Sequence, residues 1–213
     1  MDIGVYTFGD LPTGARGAAA ARQRLHELVA AARLADEAGL DVFGGGEHHR
    51  SDYAVSAPSV VLGALATATR RIRLSSAVSI LSSADPVRLF EDFATLDLLS
   101  DGRAELMAGR GAFVESFPLF GFALDDYESL FTEKLDLLLR LNAEPRIRWR
   151  GQHRPARDRQ PARLRPSSAL ASRSAPLSPA QPSLKLRFMV QEPRSKSLPL
   201  RSSMFLFGAS PLR

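Results

Sequence analysis

The segment GGGEHHR, Gly44 to Arg50, sets a carboxylate and two imidazoles directly after the apolar run LDVF. Glu47, His48 and His49 are residue types that ligate metals, move protons or contact the polar edge of a cofactor. Neighbouring strand residues face opposite ways, so His48 and His49 share one ligand only if the strand has already ended. A metal needs three convergent ligands, and neither H-E-x-x-H nor a comparable spacing occurs. The other histidines, His26 and His153, fall on an expected helix and in a linker. The reading is therefore no metal. A Glu beside two histidines at the end of a strand favours proton handling or cofactor contact over an imidazole satisfied by backbone.

The second chemical segment is AGRGAF, Ala108 to Phe113. Gly109 and Gly111 let the backbone turn tightly around Arg110 and aim its guanidinium into a site mouth. Phosphate and carboxylate match that fork best, with a structural ion pair as the equal alternative. Val114 stands where a dinucleotide fingerprint needs its third glycine. In SSAVSIL the residues Ser75, Ser76 and Ser79 interrupt an apolar strand. A bulge or a ligand against the strand would explain them, but hydroxyls bonded to their own neighbours are the favoured reading.

The surrounding pattern supplies the frame. Strands are expected at Ile3–Phe8, Leu40–Gly46, Ile72–Leu81 and Ala104–Gly109, from apolar runs and alternation. Between them lie helical patterns. The first carries Leu25, Leu28, Val29, Ala32 and Ala35 and ends at Gly39. The second is capped by Ser56 with Pro58 in its first turn, and the third by Asp85 with Pro86, stopping at Asp101-Gly102. A fourth runs from about Glu128 to Leu141. Four βα units in series predict an α/β fold with a parallel sheet and crossover helices. The glycine run makes the end of the second strand an expected flexible point.

The chain has 213 residues, 45% of them apolar, and no Cys, which excludes disulfides and a cysteine nucleophile. Neither a signal peptide nor an apolar run of membrane-spanning length is evident, so a cytoplasmic protein with no membrane segment is expected. Its net charge of +5 averages two unlike parts: residues 1–153 carry 16 basic and 21 acidic side chains, residues 154–213 carry 12 and 2. Arg, Ser and Pro make up half of residues 154–213. The expectation is a boundary near Arg154, with a first unit over 1–153 and a disordered, irregular tail over 154–213. That tail's composition is what a GC-rich coding sequence gives when frameshifted. Leu184–Val190 alternates enough for one isolated strand, and SMFLFG is a further apolar patch. Basic residues would suit nucleic acid, but Phe188, Phe205 and Phe207 stand apart from most of the arginines, so nucleic acid ranks last.

Taken together, GEHHR, SSADPVRLFEDFATLDLLSDGR, AGRG and ESFPLFGFALDDYESLFTEKLDLLL resemble the bacterial luciferase-like, flavin-dependent monooxygenases over about residues 1–155. The resemblance implies a (β/α)8 TIM barrel that binds flavin at the C-terminal ends of its strands, with about the first four βα units present here. It implies His48 as the catalytic histidine, supported by Glu47 and His49, and Arg110, between Gly109 and Gly111, as the holder of the flavin phosphate. It also implies that Ala77-Val78 is a cis peptide against the flavin ring.

The implied reaction is oxygen activation by reduced FMN, with a deazaflavin as alternative, to oxidise a small-molecule substrate. Reduced flavin would come from a separate flavin reductase, and a homodimer is the default assembly. An eight-unit barrel takes about 250 residues. The chain is therefore expected to expose an open edge on its fourth strand and to be impaired in turnover. A truncated flavin-binding or interaction protein without catalysis is the alternative.

Overall fold

The computed structural model describes residues 1–111, 113–161 and 185–189. Its centre is a parallel sheet built from Gly4–Thr7 (β1), Val42–Gly45 (β2), Arg73–Ser76 (β3), Ser79–Ile80 (β4), Ala104–Gly109 (β5) and, from the tail, Lys185–Met189 (β8). Strand β2 pairs with β1 on one side and β3 on the other. Strand β5 takes both β3 and β4, so these two short pieces are one interrupted strand in the position of the third βα unit. The helices Gly17–Glu37 (α1), Pro58–Ala68 (α2) and Pro86–Leu99 (α3) connect successive strands, and Ser116–Leu119 (α4) and Tyr127–Ala143 (α5) follow β5.

Strand β2 is buried along its whole length and β5 nearly so, as expected of parallel strands covered by crossover helices. Phe43, Leu74 and Leu106 from successive strands join Leu62, Leu65, Phe90, Phe93 and Leu138 from the helices in one apolar cluster. Asp85 caps α3 as expected, accepting from the Val87 and Arg88 amides at 2.9 and 3.0 Å. Helix α2 starts differently. Ala57 takes the cap position without a side-chain bond, and Ser56, the expected cap, lies one residue too early.

Composition misleads in the tail. Arg157–Pro161 (β7) runs antiparallel to Arg146–Trp149 (β6), and Lys185–Met189 is paired rather than isolated, adding in parallel to β5. The open edge expected on the fourth strand is therefore occupied. An unpaired parallel edge presents a row of backbone donors and acceptors, which five alternating residues suffice to meet. Among the described residues the sheet does not close on itself. The SMFLFG patch lies outside the described residues.

Two charged side chains lock the ends of the sheet where β3 and β5 begin. The Asp36 carboxylate accepts from the amides of Arg70, Arg71 and Ile72 at 2.8, 2.9 and 2.7 Å. Burial pushes its pKa up, but those amides outweigh burial and hold the carboxyl below its usual range. Arg103 donates to the carbonyls of Ser100, Ile72, Ala66 and Thr69 and to the Thr69 hydroxyl. It thereby ties the C-terminal end of α2 to the start of β5. Asp36→Ala should orphan three amides and destabilise the fold by roughly 3 kcal/mol in urea unfolding, the scale of one or two charge-assisted bonds. A loss too small to measure would show that the carboxylate does not order this corner.

Candidate functional site

The C-terminal ends of β2, β4 and β5 meet at one edge of the sheet, and the sequence explains how they fit. A Cβ on Gly44 would strike the Tyr6 ring, and one on Gly46 would lie 2.6 Å from Phe8 Cδ1 and 3.0 Å from the Ala77 carbonyl oxygen. These glycines are buried, and the ladder holds them on both sides, with Gly46 N donating to Thr7 O and Ala77 N to Gly45 O. The run serves close approach, not flexibility. Glu47 then uses both carboxylate oxygens. One lies 2.9 Å from His49 Nε2, and the other accepts from the Ile80 amide at 2.9 Å. The acid thus joins the end of β2 to β4, across the Ala77–Val78 peptide, which is cis.

His48 is placed quite differently from His49. Its backbone amide donates to Val55 O, and its ring lies among Phe8, Tyr53 and Phe113 with centroids 5.2, 4.1 and 5.3 Å away. Burial among these rings, and then the nearby Arg50 guanidinium, lower its pKa to about 4. The imidazole is therefore neutral at physiological pH and keeps an acceptor nitrogen. Arg50 lies over the Phe113 ring at 5.0 Å, pairs with both oxygens of Asp52 at 3.0 Å, and reaches Glu115 at 3.2 Å. It links the loop after β2 to the loop after β5.

Arg110 follows β5 directly. Its guanidinium pairs with Glu128 at 2.8 Å and lies over the Phe131 ring at 4.7 Å. Its Nε is buried and has no hydrogen-bond partner among the described residues, which leaves a donor for an anion. Glycine is required on both sides. A Cβ on Gly109 would lie 2.6 Å from Val78 Cγ2, while Gly111 has a φ of +86° and approaches Ile80. The serines divide between the two sequence readings. Ser75 and Ser76 hydroxyls bond backbone, the latter bridging to Met107, whereas Ser79 Oγ is buried and unpartnered.

The arrangement brings Glu47, His49, Ala77, Val78, Gly109 and Gly111 into contact through β4 and sets Arg110 at its edge. The glutamate supports His49 and Ile80, not the His48 ring. Sequence reasoning passed over Phe8, Tyr53 and Phe113, which surround His48, because single aromatics carry no spacing signal.

The family model described as luciferase-like monooxygenase matches residues 1–179. An uncharacterized protein of Sinorhizobium fredii, y4wF, is 35% identical over 138 residues, covering 64% of this chain and 40% of that protein. The N-acetyl-S-alkylcysteine monooxygenase of Bacillus subtilis is 40% identical over 91 residues, 42% and 27% of the two chains. Among solved structures, the monooxygenase RslO1 from Streptomyces bottropensis superposes with a TM-score of 0.74 at 24% identity, over 89% of this chain and 53% of that one. The chain spans about half or less of the length of each.

The low His48 pKa has a measurable consequence. Unfolded, the imidazole takes its proton near pH 6.5, and folded only at about 4. Its contribution is complete above the unfolded value and is lost as pH falls from about 6.5 towards 4. Urea midpoints across that window should fall more steeply for the parent than for His48→Gln. Parallel slopes would show that the ring is not held neutral.

Proposed function

The chain belongs to the luciferase-like monooxygenase family, and on that premise we propose that the edge formed by β2, β4 and β5 holds FMN for a flavin-dependent oxidation. The whole protein would oxidise a small organic molecule with oxygen, on reduced flavin delivered by a separate reductase. The buried, unpartnered Nε of Arg110 is the observation that carries this reading. A guanidinium with one donor held back suits the phosphate of a flavin mononucleotide.

When bound, reduced flavin supplies the electrons that activate oxygen. The residues do the rest. Arg110 binds the anionic end, steadied by Glu128 and by the Phe131 ring. Ala77 and Val78 offer a small apolar surface between the strand ends, where the ring system is proposed to lie. His48, neutral because it is buried, accepts a proton at a ring nitrogen. The proton comes from substrate. Phe8, Tyr53 and Phe113 pack around the ring, and their burial of it favours its neutral form. Glu47 and His49 hold the strand ends and take no proton in this scheme. Full closure of an eight-unit barrel and pairing of two copies belong to the same proposal.

Equilibrium titration with FMN and with a deazaflavin tests the reading. FMN should bind, and Arg110→Gln should weaken it by about tenfold or more, the weight of one charge-assisted hydrogen bond. His48→Ala should leave that affinity nearly unchanged. In the full-length protein it should lower oxygen uptake with reduced FMN and substrate by about a hundredfold, as loss of a general base does. Binding without turnover would support a non-catalytic flavin-binding protein instead, and no binding of either flavin would defeat the proposal.

A further inference from the structure

Lys134 has no part in the scheme above, yet it is only 4% exposed. A buried ammonium is costly unless it is bonded and charge-compensated. Its Nζ donates to the Ser82 carbonyl at 2.6 Å and lies 4.0 Å from the centroid of Phe122. Ser82 lies in the turn that follows β4. In that turn the Ser83 and Ala84 amides donate to Ile80 O, and Leu81 N donates to Gly109 O. Ile80 is the same residue whose amide Glu47 holds. Lys134 lies on α5 three residues beyond Phe131 and six beyond Glu128, the two groups that steady Arg110. One helix therefore grips both the residue after β5 and the turn after β4.

We propose that Lys134 is a positioning residue whose charged bond to Ser82 fixes the β4 turn, and through Ile80 and Gly109 sets that strand end against Arg110. Among the described residues, two acids act on it. Glu133 comes from α5 and Asp85 from the cap of α3, and both favour the ammonium. Asp85 is itself paired with Arg154 at 2.8 Å, and Glu133 accepts from the Gln152, His153 and Arg154 amides. The segment before α5 contributes the Phe122 ring. Burial outweighs both acids and lowers the Lys134 pKa to about 8.

The signs of the local and global effects then differ. Below about pH 8 the lysine is charged and the turn is held by a charge-assisted bond. Above it a neutral amine holds the turn less well. The global linkage runs the other way, because the folded pKa lies below the unfolded value. The cost of burying the charge is fully present below about 8 and is relieved as pH rises towards the unfolded value. A buried lysine with no hold on the turn would show the global trend but not the local one.

Amide hydrogen exchange of residues 81–84, corrected for the intrinsic rate, reads the local effect without any ligand. The parent should lose protection at Leu81, Ser83 and Ala84 by about fivefold to tenfold between about pH 7 and 9.5, the difference between a charged and a neutral hydrogen bond. Lys134→Met should show the lower protection already at pH 7, with no pH trend and a urea midpoint equal to the parent's or higher. If the Met variant does not fold, the parent's own profile decides. A flat profile, or protection in the variant equal to the parent's at pH 7, would overturn the proposal.

A parallel FMN titration, which rests on the flavin reading, should show affinity falling with protection. Loss of protection with no FMN bound by either protein would support the positioning role and defeat only the flavin reading.

Discussion

One carboxylate decides how the strand ends meet. Glu47 bonds His49 with one oxygen and the Ile80 amide with the other, and neither of these bonds goes to the His48 ring. Ile80 is in turn registered against Gly109, the residue before Arg110. Through this chain of contacts the end of β2 fixes β4, and β4 fixes the start of the arginine loop. Gly44 and Gly46 follow from the close packing at the same place. Tyr6, Phe8 and Ala77 approach the run so closely that a Cβ at Gly44 or Gly46 would clash with them.

The two ends of the sheet also differ in how their polar groups are satisfied. Where β3 and β5 begin, Asp36 and Arg103 are used fully by backbone amides and carbonyls. Where β4 and β5 end, Ser79 Oγ, Ser82 Oγ, Ser116 Oγ and Arg110 Nε are buried without a partner among the described residues. Buried polar atoms seldom remain unpaired in a folded protein. Several of them lie at the C-terminal ends of parallel strands, where α/β folds bind their ligands, which is why the flavin is proposed to sit on that face. The opposite end serves stability.

Much of this was legible beforehand because it rests on local pattern. The strand–helix alternation, the Asp85 cap and the convergence of the EHH and GRG segments follow from periodicity and from glycine placement. Ala77-Val78 came only from family resemblance, since no residue preference announces a cis peptide at Ala-Val. Composition failed where pairing is decided at long range: Lys185–Met189 is a short alternating piece in a Pro-rich stretch, and only the edge of β5 gives it a partner. The split roles of His48 and His49 were hidden for a similar reason. Their adjacency suggests a pair, whereas the carboxylate takes one ring and the aromatics take the other. Lys134 was invisible as well, because a lysine within a helical pattern reads as solvated until its depth is known.

The central claim is that the edge between Ala77-Val78 and Arg110 is the flavin seat. A crystal structure of the protein with FMN tests it most directly. The account predicts phosphate within hydrogen-bonding distance of the Arg110 guanidinium, its Nε now partnered, and the ring system against Ala77 and Val78 on the side of His48. Flavin bound elsewhere, or Arg110 still paired with Glu128 alone and its Nε still unpartnered beside bound FMN, would contradict it.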